Sequence, residues 1–311
     1  MAIAASAGYH QHSGTYVPNK KWSKRLLARY YRTTVWQVIA NTVYEDEIRG
    51  QGDTIVIRTS PNVQVVDVKK GSEMNFQNPK TTTIDLEISK AKGFAFNIDD
   101  IDRWQSDLDI QNEFQEAANF QMNIEIDKDI LGYTTPLANA KNKGASAGAN
   151  SGNFNMGTTG APIGLNEDNI LSYICDAATV LNEQTVPHND RYMLLPPWAV
   201  GLLRKSKLED EAISQISDGG IIRTGKVHQV HGFTLYQSQS LTTVTDGGVN
   251  CTSIMFGQKD ALTFAGELTK LVGPIQAEKS FVHRMMGLFV YGRKVIKDEA
   301  LGELYAYRET I

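Results

Sequence analysis

Cysteine is scarce. Cys175 and Cys251 are the chain's two, too few for a disulfide framework, and both are expected as reduced, buried thiols. Long apolar runs are missing as well. Nothing approaches the ~18 consecutive apolar residues of a membrane-spanning helix, so no membrane partner is expected. The opening MAIAASAGYHQHSG lacks a basic segment followed by a long apolar core, so no signal peptide is expected. The sequon Asn250-Cys251-Thr252 would then be idle. Net charge is only −4 over 311 residues, which does not mark the whole chain as a nucleic-acid binder. Metal and redox signatures of the H-E-x-x-H and C-x-x-C kind do not occur. The histidines are scattered at His10, His12, His188, His228, His231 and His283. His228 and His231, three apart on an expected strand, point to opposite faces, which is poor metal geometry. No catalytic residue, cofactor or metal is singled out, and the chain is expected not to be an enzyme.

What the sequence does have is one long helical stretch, 98–131, with neither glycine nor proline. Its apolar residues Ile101, Trp104, Leu108, Phe114, Ala117, Ala118, Ile124 and Leu131 recur at helical spacing. Asp99, Asp100 and Asp102 would sit at its start, where the helix dipole favours negative charge, and Gly132 would stop it. A cluster of three aspartates could also be read as a metal site, but the helix start accounts for them. Such a helix would be about 50 Å long at ~1.5 Å per residue, enough to span a domain.

Before it, 53–97 reads as a long, bent, two-stranded excursion. TIVIRTS opens it, a phase slip at Val65 and Val66 suggests a kink, and 69–80 reads as its tip. Ile84, Leu86 and Ile88 then alternate with Asp85, Glu87 and Ser89, and Phe94 and Phe96 continue the pattern. An isolated ribbon of two strands is marginal in water, so a partner subunit is expected to cover Ile84, Leu86 and Ile88. Upstream, Lys20, Lys21, Lys24, Arg25, Arg29 and Arg32 precede the first acid, Glu45. Residues 1–44 carry +6, which leaves −10 for the rest. Trp22, Leu26 and Tyr30 share a helical face inside this basic segment. It reads either as an arm that docks on an acidic neighbour or nucleic acid, or as a solvated basic helix. As an arm it would place Lys20, Lys21, Trp22, Lys24, Arg25 and Leu26 at a subunit interface.

Beyond the helix, 139–164 is rich in Gly, Ser, Ala and Asn and is expected to be flexible and tolerant of insertion. It lacks the G-K-[ST] of a phosphate-binding loop, although an unrecognised enzyme using it is one alternative. A helix starting at Asn166 or Asn169 follows, with Ile170, Leu171, Ile174, Ala177, Ala178 and Leu181 on one face. Then come a short strand at 193–195, a helix opened by Pro197, a strand at 227–237, and apolar strands to the end. The length allows two domains or one elongated body with excursions.

This order resembles the major capsid proteins of tailed double-stranded DNA phages, the Hong Kong 97 fold. The carriers are GQGDTIVI at 50–57, TTIDLEISKAKGFAFNIDDID at 82–102, the long helix, VPHNDRYMLLPP at 186–197, GKVHQVHGFTLYQS at 225–238 and VYGRKVIKDEAL at 290–301. The resemblance implies an α+β fold with an N-terminal arm (1–49), an extended hairpin loop (50–97), a peripheral domain with a long spine helix (98–131 and 265–311) and an axial domain (132–264). It also implies a virion shell subunit, assembled in the bacterial host cytoplasm. The chain's partners would be itself, in hexamers and pentamers, and double-stranded DNA on the inner face. A separate scaffolding protein and a portal are expected too. A cellular nanocompartment shell of the same fold is the other alternative.

Overall fold

The computed structural model describes residues 32, 34–44, 54–61, 63–65, 67, 70–71, 76–99, 110–206, 229–276 and 282–309. Its first elements are short. Helix α1 is Trp36–Ile39 and the first two strands are β1 (Thr54–Arg58) and β2 (Thr83–Glu87). These strands pair antiparallel, with Ile55 opposite Leu86 and Ile57 opposite Ile84, so the four apolar side chains share one face. This is the expected hairpin, but it is shorter than expected. After Glu87 the chain turns away, and β3 (Lys90–Asp99) joins a different sheet. There it pairs with β11 (Val282–Val295), which pairs in turn with β10 (Leu262–Gln276).

Strand β3 carries Ile98 and Asp99, so the helix does not begin at 98 as its pattern suggested. Asp99 lies opposite Val282 in the ladder and does not open a helix. Helix α2 is Ile110–Thr134, 25 residues and about 37 Å long. Residues 100–109 lie outside the described residues, and with them Asp100, Asp102 and Trp104. Gly132 is not a stop. The helix runs through it to Thr134, and Pro136 then enters a 3-10 turn, Thr135–Leu137. The hydroxyls of Thr134 and Thr135 fold back and donate to the carbonyls of Ile130 and Leu131, which satisfies both buried hydroxyls at the helix end.

The remaining strands form one seven-stranded mixed sheet. It comprises β4 (Ile163–Leu165), β5 (Arg191–Leu195), β6 (Gln229–Val230), β7 (Phe233–Gln237), β8 (Thr243–Asp246), β9 (Val249–Gln258) and β12 (Leu301–Arg308). Their order is β4-β12-β9-β5-β7-β6, with β8 beside β9. Strand β5 is buried along its whole length, as its unbroken run Tyr192-Met193-Leu194-Leu195 requires of a strand covered on both faces. Helix α3 (Ile170–Glu183) packs with the face read from the sequence, and Pro197 does open helix α4, Pro197–Lys205. The expected single strand at 227–237 is instead a tight hairpin. His231 and Gly232 both take positive φ between β6 and β7, which sets Val230 opposite Phe233. Strand β12 brings the chain's last described strand back to the seven-stranded sheet, between β4 and β9, and away from the 265–295 strands with which it was grouped.

The segment 139–164 is folded against the core instead of loose. Asn142 is buried and its amide donates to the carbonyls of Glu299 and Leu301. Ala147 and Met156 are fully buried. The glycines serve as turn residues: Gly144, Gly148, Gly152, Gly157 and Gly160 all have positive φ. At Gly157 a Cβ would lie 2.2 Å from the Tyr305 carbonyl oxygen, a backbone atom that cannot yield. A composition that suggests a linker is here a series of tight turns.

Candidate assembly surfaces

The hairpin residues singled out from the sequence do not share one environment. Leu86 is at 0% exposure, in a small cluster with Ile57 and Ala265, against which Tyr44, Ile55 and Ile296 pack. Ile84 and Ile88 are half-buried. Leu86 therefore faces its own chain, not a partner, and the expectation of a hairpin covered mainly by another subunit fails at its base. The physical reason is a missing side chain. At Gly292 of β11 a Cβ would lie 2.5 Å from the Glu87 carbonyl oxygen and 3.2 Å from Ile88 Cα. That bare spot lets β2 lie directly on the three-stranded sheet.

Farther out, cover by the described residues ends. Thr59 donates to the Thr82 carbonyl at 2.8 Å, and Gln64 and Gln77 exchange bonds at 3.0 and 2.9 Å, holding the two sides together beyond the strands. Val65 and Phe76, on these sides, are both 97% exposed. A second apolar surface lies on the three-stranded sheet. Met286, Leu288 and Ile275 are exposed along it, and Gly93 and Ala95 of β3 with Met286, Leu288 and Val272 line a groove of about 440 Å³. The opposite face of the same sheet is occupied. Phe96 meets Phe114 of α2 edge-on at 5.9 Å, and Phe94 lies across Gly287. Among the described residues, only one side of that sheet is covered by its own chain.

The arm residues Lys20, Lys21, Trp22, Lys24, Arg25 and Leu26 lie outside the described residues. The last of the basic series, Arg32, donates to the Gln239 carbonyl at 3.3 Å.

Polar side chains hold α2 to its surroundings. Asp129 accepts from the Tyr291 hydroxyl at 2.7 Å and from the Arg293 guanidinium. That guanidinium also lies 4.5 Å from the centre of the Tyr133 ring, a cation–π contact. Burial pushes the Tyr291 hydroxyl up to about 12 and moves Arg293 down, so the group is a neutral phenol and a cation sharing one carboxylate.

Nothing catalytic assembles in the glycine-rich segment. Several amides that a phosphate cradle would use are already taken. Those of Ala147, Gly148 and Met156 bond backbone carbonyls, those of Asn150 and Ser151 bond Glu183 Oε2, and that of Gly160 bonds Asp246. The Glu183 carboxylate itself would repel an anion. One sequence signal was missed: Gly144-Ala145-Ser146-Ala147-Gly148 spells G-x-S-x-G. Ser146 lies in a turn, whereas a nucleophile elbow stands between a strand and a helix. Among the described residues no group of three or more His, Cys, Asp or Glu could hold a metal. Also among them, no helix is long and apolar enough to cross a membrane. Of the two thiols only Cys251 is buried; Cys175 is exposed on α3, against expectation.

A long helix beneath a three-stranded sheet, a hairpin resting on that sheet's edge, and a separate mixed sheet define a viral shell subunit of the Hong Kong 97 type. The model of the family described as "Phage capsid protein" matches residues 81–301, and the chain belongs to that family. Solved capsids share the fold at low identity. A structure from Mycobacterium phage Che8 aligns with a TM-score of 0.73 over 93% of this chain and 97% of its own, at 21% identity. The capsid of cyanophage P-SCSP1u aligns at 0.69 over 96% and 97%, at 14% identity. The mature capsid of bacteriophage PhiM1 aligns at 0.68 over 99% and 97%, at 12% identity. Comparison with curated proteins gives no match. The chain is thus a structural, non-enzymatic major capsid protein whose copies assemble into the shell of a virion. The nanocompartment and enzyme alternatives find no support.

Proposed function

We propose that the chain builds an icosahedral shell from hexamers and pentamers around packaged double-stranded DNA. Assembly takes place in the host cytoplasm, with a separate scaffolding protein and a portal. The spine helix and the three-stranded sheet form the peripheral domain, and the seven-stranded sheet with α3 and α4 forms the axial domain. The basic segment around Lys20, Lys21, Trp22, Lys24, Arg25 and Leu26 acts as an arm clamped on an acidic neighbouring body. Ile84 and Ile88, half-buried, and the exposed Val65 and Phe76 supply the outer contacts of the hairpin.

The observation that carries this reading is the one-sided three-stranded sheet. Met286 and Leu288 stand exposed along an almost wholly apolar groove, and Ile275 is exposed on the same sheet. Contiguous exposed apolar surface of this kind marks an interaction site, and repetition over a closed shell multiplies each weak contact. Electron microscopy of the purified chain, alone and with the phage's other structural proteins, tests it. Closed shells with nuclease-protected DNA are expected. A protein that stays monomeric under every such condition would sink the reading.

A further inference from the structure

Asp127 lies within α2 at 0% exposure, on the face that buries Ile124, Ile126, Ile130 and Leu131. Its Oδ1 accepts the backbone N–H of Val35 at 3.0 Å and that of Trp36 at 2.9 Å. Its Oδ2 is buried as well, and the buried Ser240 side chain lies against the carboxyl and, with the two N–H groups, opposes the upward pKa shift that burial causes. A leucine would fill this place without the cost of taking a carboxylate out of water. What a carboxylate adds is an acceptor for two N–H groups at one point.

Those two groups need one. Helix α1 has four residues, no side-chain cap at Val35 and no acid in its first turn. The first N–H groups of a helix have no partner within it, and here Asp127 supplies one from 91 residues away. The far end of the same segment is fixed separately. Asn41 donates its N–H to the Leu262 carbonyl and accepts from the Phe264 N–H, and the Trp36 ring lies 4.4 Å from that of Phe264. The segment 35–41 is therefore tied to α2 at its start and to β10 at its end. Immediately before it stand the six basic residues from Lys20 to Arg32.

We propose that Asp127 is the positioning residue that fixes where, and in which direction, the basic N-terminal segment leaves the subunit body, and that it ties that point to the spine helix. The consequence for assembly rests on the arm reading above; the anchoring itself does not.

The test uses the full chain with D127A and D127N, read by amide hydrogen exchange and by shell yield. In D127A, exchange over 35–40 should accelerate about 10- to 100-fold, the factor for losing a bond to a charged acceptor, while α3 keeps its protection and shell yield falls. D127N keeps an acceptor oxygen in place and should retain most of the protection and most of the shells. Unchanged exchange over 35–40 in D127A overturns the proposal. So does D127A that loses this protection yet builds shells at the wild-type yield, because the arm is then placed by something else. Should D127A fail to accumulate, D127N decides alone. Exchange over 35–40 must then exceed wild type while that over 170–183 does not, and equal change in both overturns the proposal. Charge reversal in the arm that leaves shells intact would sink the clamp and leave the exchange result standing.

Discussion

Replacing Gly292 by Ala adds one methyl group at the point where the hairpin rests on the sheet. A Cβ there would stand 2.5 Å from the Glu87 carbonyl oxygen, 3.0 Å from its carbonyl carbon and 3.2 Å from Ile88 Cα. All three are backbone atoms, so no rotamer change relieves the contact. An ordinary separation is near 3.4 Å or more, so β2 must retreat by most of an ångström. The cluster of Ile57, Leu86 and Ala265 opens with it, and Ala265 is the register partner of Gly292. Overpacking of this kind costs about 1–3 kcal/mol. Since 1 kcal/mol moves the melting point of a large domain by about 2–4 °C, the expected loss is several degrees. The sharper expectation is locality. Proteolysis within 59–82 should quicken several-fold while protection in α3 and β5 stays at its wild-type level, and shell assembly should fail. G292A that melts and assembles like wild type would show that the base of the hairpin is not seated as described.

Replacing Val65 and Phe76 together by Ser should leave the melting point within about 1 °C, because both side chains are solvent-exposed in the subunit, and should abolish closed shells in electron micrographs. Changing Lys20, Lys21, Lys24 and Arg25 to Glu should impair assembly far more than folding, and raising salt toward 1 M should reproduce part of the defect in the wild type, since the Debye length shrinks to about 3 Å. Glu183 is held below the usual carboxylate range by the N–H groups of Asn150 and Ser151. Its clamp is then fully present above the ordinary carboxylate pKa and is lost as pH falls through the depressed value. Hydrogen exchange at Asn150 and Ser151, corrected for its intrinsic pH dependence, should therefore lose protection only in acid, and E183Q should reduce it at neutral pH.

Periodicity made α3 and the alternation of Ile84 and Leu86 in β2 legible, and the short apolar run at 193–195 marked β5, because each obeys one burial rule over its length. It misled at 98–99 because the strand's alternation and the helical spacing can both claim Ile98. Ile98 is buried in β3, and the pattern passes from period two to a helical period without a glycine or proline to mark the change. It misled again at 139–164, where Gly and Asn signal turns as readily as linkers. What decides between them, the donation of the Asn142 amide to Glu299 and Leu301, joins residues 157 and 159 positions apart. The base of the hairpin was illegible for the same reason. Whether Leu86 meets its own chain or a neighbour depends on the absent side chain of Gly292, more than 200 residues downstream.

Helix α2 shows why the surfaces of this protein carry so little local signature. Its hydrophobic face is weak for its length: Phe114 and Phe120 stand exposed, and its buried side includes Asp127. Such a helix would be marginal alone, since helices gain most of their stability from packing an apolar face. It is held by unlike contacts spaced along it. Phe114 meets Phe96 near its start, Asp127 takes the amides of α1, and Asp129 takes Tyr291 and Arg293 of β11. Each tie comes from a different part of the chain. The helix thus joins the segment after the basic arm to the three-stranded sheet, which that segment also meets directly where Asn41 bonds β10, while the hairpin joins the same sheet through Gly292. Contacts made on any of these parts by a neighbouring subunit bear on a common frame, so an altered tie should be read out in assembly before it is read out in folding.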